Sequence, residues 1–69
     1  MNDMKITFDK KADAVYIYLK RKKVFRTKEI TDDTIVDLDE DGDLIGIEIL
    51  SASKRIPVKE LKKPVIKRL

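Results

Sequence analysis

The sequence predicts a mainly β protein of the α+β class, a four- to five-stranded antiparallel meander sheet with one short C-terminal helix. Three observations carry that prediction. Apolar and polar residues alternate with a period of two, as half-buried strands do: Met4, Ile6 and Phe8 against Lys5 and Thr7, and Val36 and Leu38 against Asp37 and Asp39. One segment, Ala14 to Leu19, is apolar on both faces. After Leu50 the pattern changes, because Ser51-Ala52-Ser53 interrupts the alternation and Pro57 precedes Val58 and Leu61 at helical spacing.

The first strand, Met4 to Phe8, stops at the polar run Asp9-Lys10-Lys11-Ala12-Asp13, which predicts a hairpin into Ala14 to Leu19. That second strand sets Val15, Ile17 and Leu19 against Tyr16 and Tyr18, a composition suited to a central strand covered on both sides. A turn at Lys20 to Lys23 leads to Val24 to Ile30, whose mixed polarity suits a peripheral strand with charges that discourage edge pairing. Thr31-Asp32-Asp33 turns the chain again. Thr34 to Asp39 and Leu44 to Leu50 form the clearest hairpin, with Ile45, Ile47 and Ile49 on the buried face. Its connection, Glu40-Asp41-Gly42-Asp43, places Gly42 where a type I turn is followed by a left-handed residue. Gly46 inside the last strand predicts a bulge or close packing beneath an aromatic ring. The helix is expected from Pro57 to Lys63, ended by Pro64, and residues 65–69 read either as an extra strand or as a tail. One domain holds everything: sheet over 4–50, turn and helix over 51–64, and the last five residues.

Composition excludes most chemistry. With 69 residues the core is small, since a domain of this size removes only about 60% of its unfolded surface from water. There is no Cys and no His, so thiol nucleophiles, thiolate zinc sites and the commonest general base are absent. The hydroxyls of Thr27, Thr31, Thr34, Ser51 and Ser53 have no His base, and two glycines make no phosphate loop. Ser51 to Lys54 fits a Ser-x-x-Lys spacing that is too loosely defined to identify a nucleophile without its partner motifs. The expectation is therefore a protein without enzymatic activity or cofactor. No apolar run approaches a membrane-spanning length, and no basic region precedes an apolar stretch at the N-terminus, so a cytoplasmic location is expected. Richness in Lys and Ile, with no Gln and a single Asn, leans towards a thermophile.

The net charge of +3 hides a segregation: residues 1–28 carry nine bases and three acids, residues 29–48 nine acids and no base, and residues 49–69 seven bases and one acid. Antiparallel neighbours drawn from these blocks would place opposite charges across strands. The alternative use is a phosphate-binding surface built from Lys20, Arg21, Lys22, Lys23, Arg26 and Lys28, with Lys59, Lys62, Lys63, Lys67 and Arg68 of the tail. Against nucleic acid stands the scarcity of aromatics and the position of Tyr16 and Tyr18, away from the lysine runs.

Asp37 to Glu48 satisfies the calcium-loop pattern D-x-[DN]-x-[DN]-G-x5-E. That chemistry needs a loop wrapped around the ion between two helices, whereas Thr34-Ile35-Val36 and Ile45 to Ile49 read as strands. A solvated acidic turn is the expectation, with Asp39, Asp41 and Asp43 as weak candidates for a hard cation. Asp37, Asp39 and Glu48 are also placed on one face of the hairpin, where paired carboxylates serve as acid and base only inside a cleft.

The runs Asp9 to Ile17, Ile35 to Gly42 and Ile45 to Lys54 together resemble the small bacterial and archaeal family of proteins of unknown function DUF2283, over roughly residues 4–56. The resemblance implies a compact β-rich fold and no established activity, cofactor or catalytic residue. It also implies a role as an antitoxin-like partner of a small ribonuclease-type toxin. A protein-interaction module is accordingly the leading expectation, followed by nucleic-acid binding and weak cation binding. A homodimer is expected too, because a seven-residue helix cannot cover a five-stranded sheet. Tyr16, Tyr18, Phe25 and Leu44 are the residues expected near that interface.

Overall fold

The computed structural model describes residues 3–57 and 65–68, the last four as backbone. Six strands, β1 (Asp3–Asp9), β2 (Ala14–Tyr18), β3 (Arg26–Thr31), β4 (Thr34–Leu38), β5 (Leu44–Leu50) and β6 (Val65–Arg68), form one antiparallel sheet in the order β3-β4-β5-β2-β1-β6. The described helical element is a single 3₁₀ turn, Ala52–Lys54. The mainly β, antiparallel architecture is therefore as predicted. The sixth strand takes up residues left open between strand and tail. Apart from Pro57, the helix expected over 57–63 lies outside the described residues.

The connectivity is not the expected meander. Two runs of neighbours, β3-β4-β5 and β2-β1, are joined through β5 and β2, so β2 and β3 are consecutive in sequence but separated by two strands. The physical reason lies in the side chains. β2 matches β5 with Val15 opposite Ile49 and Ile17 opposite Ile47, whereas every residue of β3 is exposed and has no apolar face to offer β2. Residues 19–25 therefore carry the chain along one end of the sheet. Their first turn is held by the Leu19 N–H, which donates to the Ile45 carbonyl at 2.8 Å, and their last by the Phe25 N–H, which donates to the Leu38 carbonyl at 2.8 Å.

Register defines the two faces, because directly opposed residues point the same way. One face carries an apolar row running straight across four strands, Ile6, Ile17, Ile47 and Val36, with Lys28 at its β3 end. A second row, Phe8, Val15, Ile49 and Thr34, lies beside it. The opposite face carries Thr7, Tyr16, Glu48 and Ile35, then Tyr18, Gly46, Asp37 and Thr27.

The 3₁₀ turn closes only part of the apolar face. Ala52 and Val15 are its buried centre, with Ile6, Phe8, Ile17, Ile49 and Ile56 packed around them. Full burial of a side chain such as Val15 contributes roughly 1.5 to 3 kcal/mol, and among the described residues the buried apolar set is short: Ala14, Val15, Ile45 and Ala52. The fold measures 35 × 29 × 16 Å, the thickness of one twisted sheet and its turn. β2 is central in strand order but not covered on both sides, since Tyr18 on the tyrosine face is exposed. No helix among the described residues is long and apolar enough to cross a membrane.

Candidate functional site

The residues with chemical potential gather where the 19–25 connection passes the β4–β5 turn. That turn is built as its sequence predicts: the Gly42 N–H donates to the Asp39 carbonyl at 3.0 Å, the Asp39 N–H donates to the Asp43 carbonyl at 2.9 Å, and Gly42 has φ 85°. Asp39 then folds its own carboxylate into the turn. Its Oδ1 accepts the N–H groups of Asp41 at 2.9 Å and Asp43 at 3.0 Å.

Asp39 is 2% exposed, which would be prohibitive for a lone charge. Its Oδ2 accepts no well-aligned hydrogen bond but lies 2.7 Å from Lys20 Nζ and 3.5 Å from Lys22 Nζ, so cationic charge compensates it. Lys20 Nζ also lies 3.6 Å from Asp43 Oδ2, and Lys22 Nζ 3.5 Å from Asp41 Oδ2. Lys20 holds the Asp39 carboxyl well below the usual carboxylate range, helped by the Asp43 and Asp41 N–H groups and opposed by burial. Asp39 in turn raises the Lys20 ammonium above its usual value, with burial opposing.

Asp39, Asp41 and Asp43 do converge, each offering an oxygen within 4.8 Å of the others. Two of the three charges that a cation would neutralise are already met by ammonium groups of the same chain. Asp37 and Glu48, the ends of the calcium-loop pattern, stand on the tyrosine face in β4 and β5 and not in this turn. There Asp37 accepts hydrogen bonds from the Tyr16 hydroxyl at 2.5 Å and the Thr27 hydroxyl at 2.8 Å. Burial, and then the hydrogen bond to Asp37, pushes the Tyr16 phenol above its usual 10.0. Tyr16 also lies over Gly46, where a side-chain Cβ would run into the ring and its hydroxyl. Gly46 thus sits beneath an aromatic, and a register shift beside it, between Asp37 and Leu38, adds the bulge.

Of the four residues expected at an interface, the two tyrosines are in contact. Tyr16 is engaged with Asp37, Tyr18 packs edge-on against it with ring centres 4.4 Å apart, and Leu44 and Phe25 are exposed near the turn. Phe25 and Val24 line a shallow cleft with Glu40 and Asp39. Of the basic candidates, Lys20 and Lys22 are committed to the acidic turn, Arg21 and Lys23 are exposed, and Arg26 and Lys28 sit on the face opposite the tyrosines. Lys59, Lys62 and Lys63 lie outside the described residues, and Lys67 and Arg68 are described as backbone. The Ser51 to Lys54 segment is structural: Ser53 donates through Oγ to Asp13 at 2.8 Å and through N–H at 3.1 Å.

The Asp39 to Lys20 pairing was not anticipated from sequence, although two signals foreshadowed it. The basic run 20–23 and the acidic run 39–43 are the densest opposite charges in the chain, and Asp-x-Asp-Gly favours a side chain folded onto its own turn. The first basic block and the acidic block meet at this junction, the acidic block meets the second basic block where Arg55 Nη1 lies 3.7 Å from Asp33 Oδ2, and Asp3 stands opposite Arg68 in the β1–β6 register.

Residues 5–53, most of the sheet and both partners of this junction, match the family of proteins of unknown function DUF2283. The chain belongs to DUF2283. It is also 41% identical over 66 residues to the uncharacterized protein MJ0789 of Methanocaldococcus jannaschii, an alignment covering 93% of this chain and 56% of that protein. The chain thus spans just over half the length of that relative. No solved structure matches it. The DUF2283 match ends at Ser53, within the 3₁₀ turn that covers Val15.

Proposed function

We propose that this DUF2283 protein is a non-enzymatic interaction module whose β3 edge receives a protein partner. The carrying observation is the exposure of all six residues of β3 at the end of the sheet order, flanked by the exposed apolar residues Val24 and Phe25, with Phe25 63% exposed. An edge strand offers unpaired N–H and C=O groups to an added strand, and neighbouring apolar side chains supply selectivity.

Self-pairing along most of this edge is disfavoured, since only the register centred on Ile30, near the end of the strand, avoids like charges. A two-fold antiparallel pairing of β3 sets one residue opposite its own copy. Centred on Lys28 or Glu29 it opposes identical charges, and centred on Thr27 it opposes Arg26 to Lys28. The edge is therefore better suited to a different chain, of which an antitoxin-like pairing with a small toxin is one instance. A nucleic acid is the less supported partner, because two of the lysines are committed within the chain and the tyrosines lie on the face away from Arg26 and Lys28.

Capture of the tagged protein from its source cells across a range of salt concentrations tests this reading. A retained protein, identified by mass and lost with Phe25→Asp or Thr27→Pro, is the expected result. Recovery of the chain alone at every salt concentration overturns it.

A further inference from the structure

We infer that the apolar face of the sheet, the one opposite Tyr16 and Tyr18, packs against the same face of a second copy to make a two-sheet sandwich. The surface differs from the β3 edge, so this inference and the proposed function stand or fall separately.

Sheets with one apolar face bury it against another layer, and the described residues supply only part of one. The cluster around Ala52 takes in Ile56 with Phe8, Val15 and Ile49 of one row and Ile6 and Ile17 of the next. The neighbouring row, Ile6, Ile17, Ile47 and Val36, crosses β1, β2, β5 and β4 at one level and is half-buried throughout. Ile47 and Val36, at its β5 and β4 end, lie outside the cluster gathered by the 3₁₀ turn. Substantial contacts between described strands join sheet neighbours alone, so among the described residues no second layer of strands crosses this row.

Area, charge placement and exclusion of the alternative geometry point to a second copy as the occupant. The fold measures 35 Å by 29 Å across the sheet, a face of roughly 1,000 Å² before the part under the 3₁₀ turn is subtracted, and a stable interface takes about 800 Å² from each partner, so the two areas are of the same order. The centre of the row is uncharged, and Lys28 and Arg26 stand at its β3 margin, the arrangement of an apolar interface core with a polar rim. An isologous contact needs a surface complementary to itself, which an uncharged aliphatic row provides and the charged β3 edge does not. The row also consists of β-branched residues, which lose little side-chain freedom on packing.

Light scattering on the full chain at tens of micromolar should give twice the chain mass of 8.0 kDa, with a melting temperature that rises with protein concentration. The absence of cysteine makes single thiols clean reporters of position. Val36→Cys, in the row, should react with a thiol reagent about tenfold more slowly than Thr27→Cys on the opposite face, and the difference should shrink on dilution. Phe25→Asp should leave the mass unchanged, which separates this interface from the β3 edge. A single-chain mass at every concentration, with a concentration-independent melting temperature, overturns the inference. So does a dimer in which Val36→Cys reacts as fast as Thr27→Cys. Should Val36→Cys fail to fold, Lys28→Cys at the margin of the same row serves instead, and its cross-linking to a second copy by a short bifunctional reagent is the expected result, with no cross-link counting against the face.

Discussion

An aspartate closes each end of the sheet, and the two are held by opposite means. At the β4–β5 end Asp39 is withdrawn from water, accepts two N–H groups of its own turn and faces two ammonium groups. At the β1–β2 end Asp13 is half-buried at φ 52°, and among the described residues its carboxylate accepts from Ser53 alone, a neutral residue of the 3₁₀ turn. The Asp13 carbonyl meanwhile accepts the Ala52 N–H at 2.8 Å. Burial makes the first aspartate depend on charge, whereas water beside the second can replace any partner it loses. The first joins residues 20 and 39 across a connection that no strand ladder holds, and the second adds to a contact that the backbone already makes.

Disruption of the first junction should have the largest effect. Asp39→Ala leaves the N–H groups of Asp41 and Asp43 without their acceptor and Lys20 without its counter-charge, and should lower the melting temperature by about 10 °C or more. Asp39→Asn keeps an acceptor at Oδ1 and should fall between Ala and wild type, which separates turn geometry from charge. The pH dependence has a definite sign. Because the folded-state carboxyl of Asp39 is depressed, its contribution is complete above the ordinary value of 3.8 and is lost as pH falls below it, a loss that Asp39→Asn abolishes in acid titrations followed by circular dichroism. In the other direction the raised Tyr16 phenol contributes stability below pH 10.0 that is lost as pH rises above it, and Tyr16→Phe removes that part. Calcium should leave the wild-type melting temperature unchanged but raise that of the double variant Lys20→Met, Lys22→Met, whose three carboxylates then lack compensation. A rise of several degrees in the wild type would show that the lysines yield to a cation.

Gly46→Ala comes next. The added Cβ must displace the Tyr16 ring and with it the hydrogen bond to Asp37, at a cost of roughly 1 to 3 kcal/mol in denaturant melts. Most of that cost should vanish when Tyr16→Ala is made first, since the obstructing ring is then absent. An undiminished cost would place the constraint in the backbone of the bulge. Gly42→Ala is the contrasting case: nothing lies within 4 Å of its Cβ position, so only the positive φ is penalised, at roughly 1 kcal/mol.

The two ends also differ in how far they could be read in advance. Local chemistry was legible: the alternation in β1, β4 and β5, Gly42 in its turn, Gly46 beneath an aromatic, and β3 as a peripheral strand all follow from residues within a few positions of one another. The junction of Lys20 with Asp39 was not, because it depends on β5 and not β3 lying beside β2. That choice is made by the match of Ile17 with Ile47 and Val15 with Ile49, residues about thirty positions apart whose pairing no periodicity specifies. Once the chain is routed past the β4–β5 turn, the basic run 20–23 and the acidic run 39–43 find each other at its end. The clasp of Asp13 with Ser53 was hidden for the same reason, since Asp13 looked like part of a turn and Ser53 like a break in alternation.

The smallest expected effect is at that second end, and it is the sharper test of the comparison. Ser53→Ala removes one exposed hydroxyl donor while the Ser53 N–H still reaches Asp13 Oδ1, so it should cost about 0.5 kcal/mol or less. Asp13→Asn keeps a carbonyl oxygen at that acceptor and tolerates positive φ, so it should be nearly neutral. Asp13→Ala should cost more than either, because it loses both side-chain bonds and places a residue at φ 52° that gains nothing there. If exposure is what separates the two aspartates, raising the salt concentration should leave the Asp13 variants unchanged relative to wild type. A Ser53→Ala loss as large as that of Asp39→Ala would mean that the 3₁₀ turn, through its cover of Val15, depends on this clasp far more than its exposed geometry indicates.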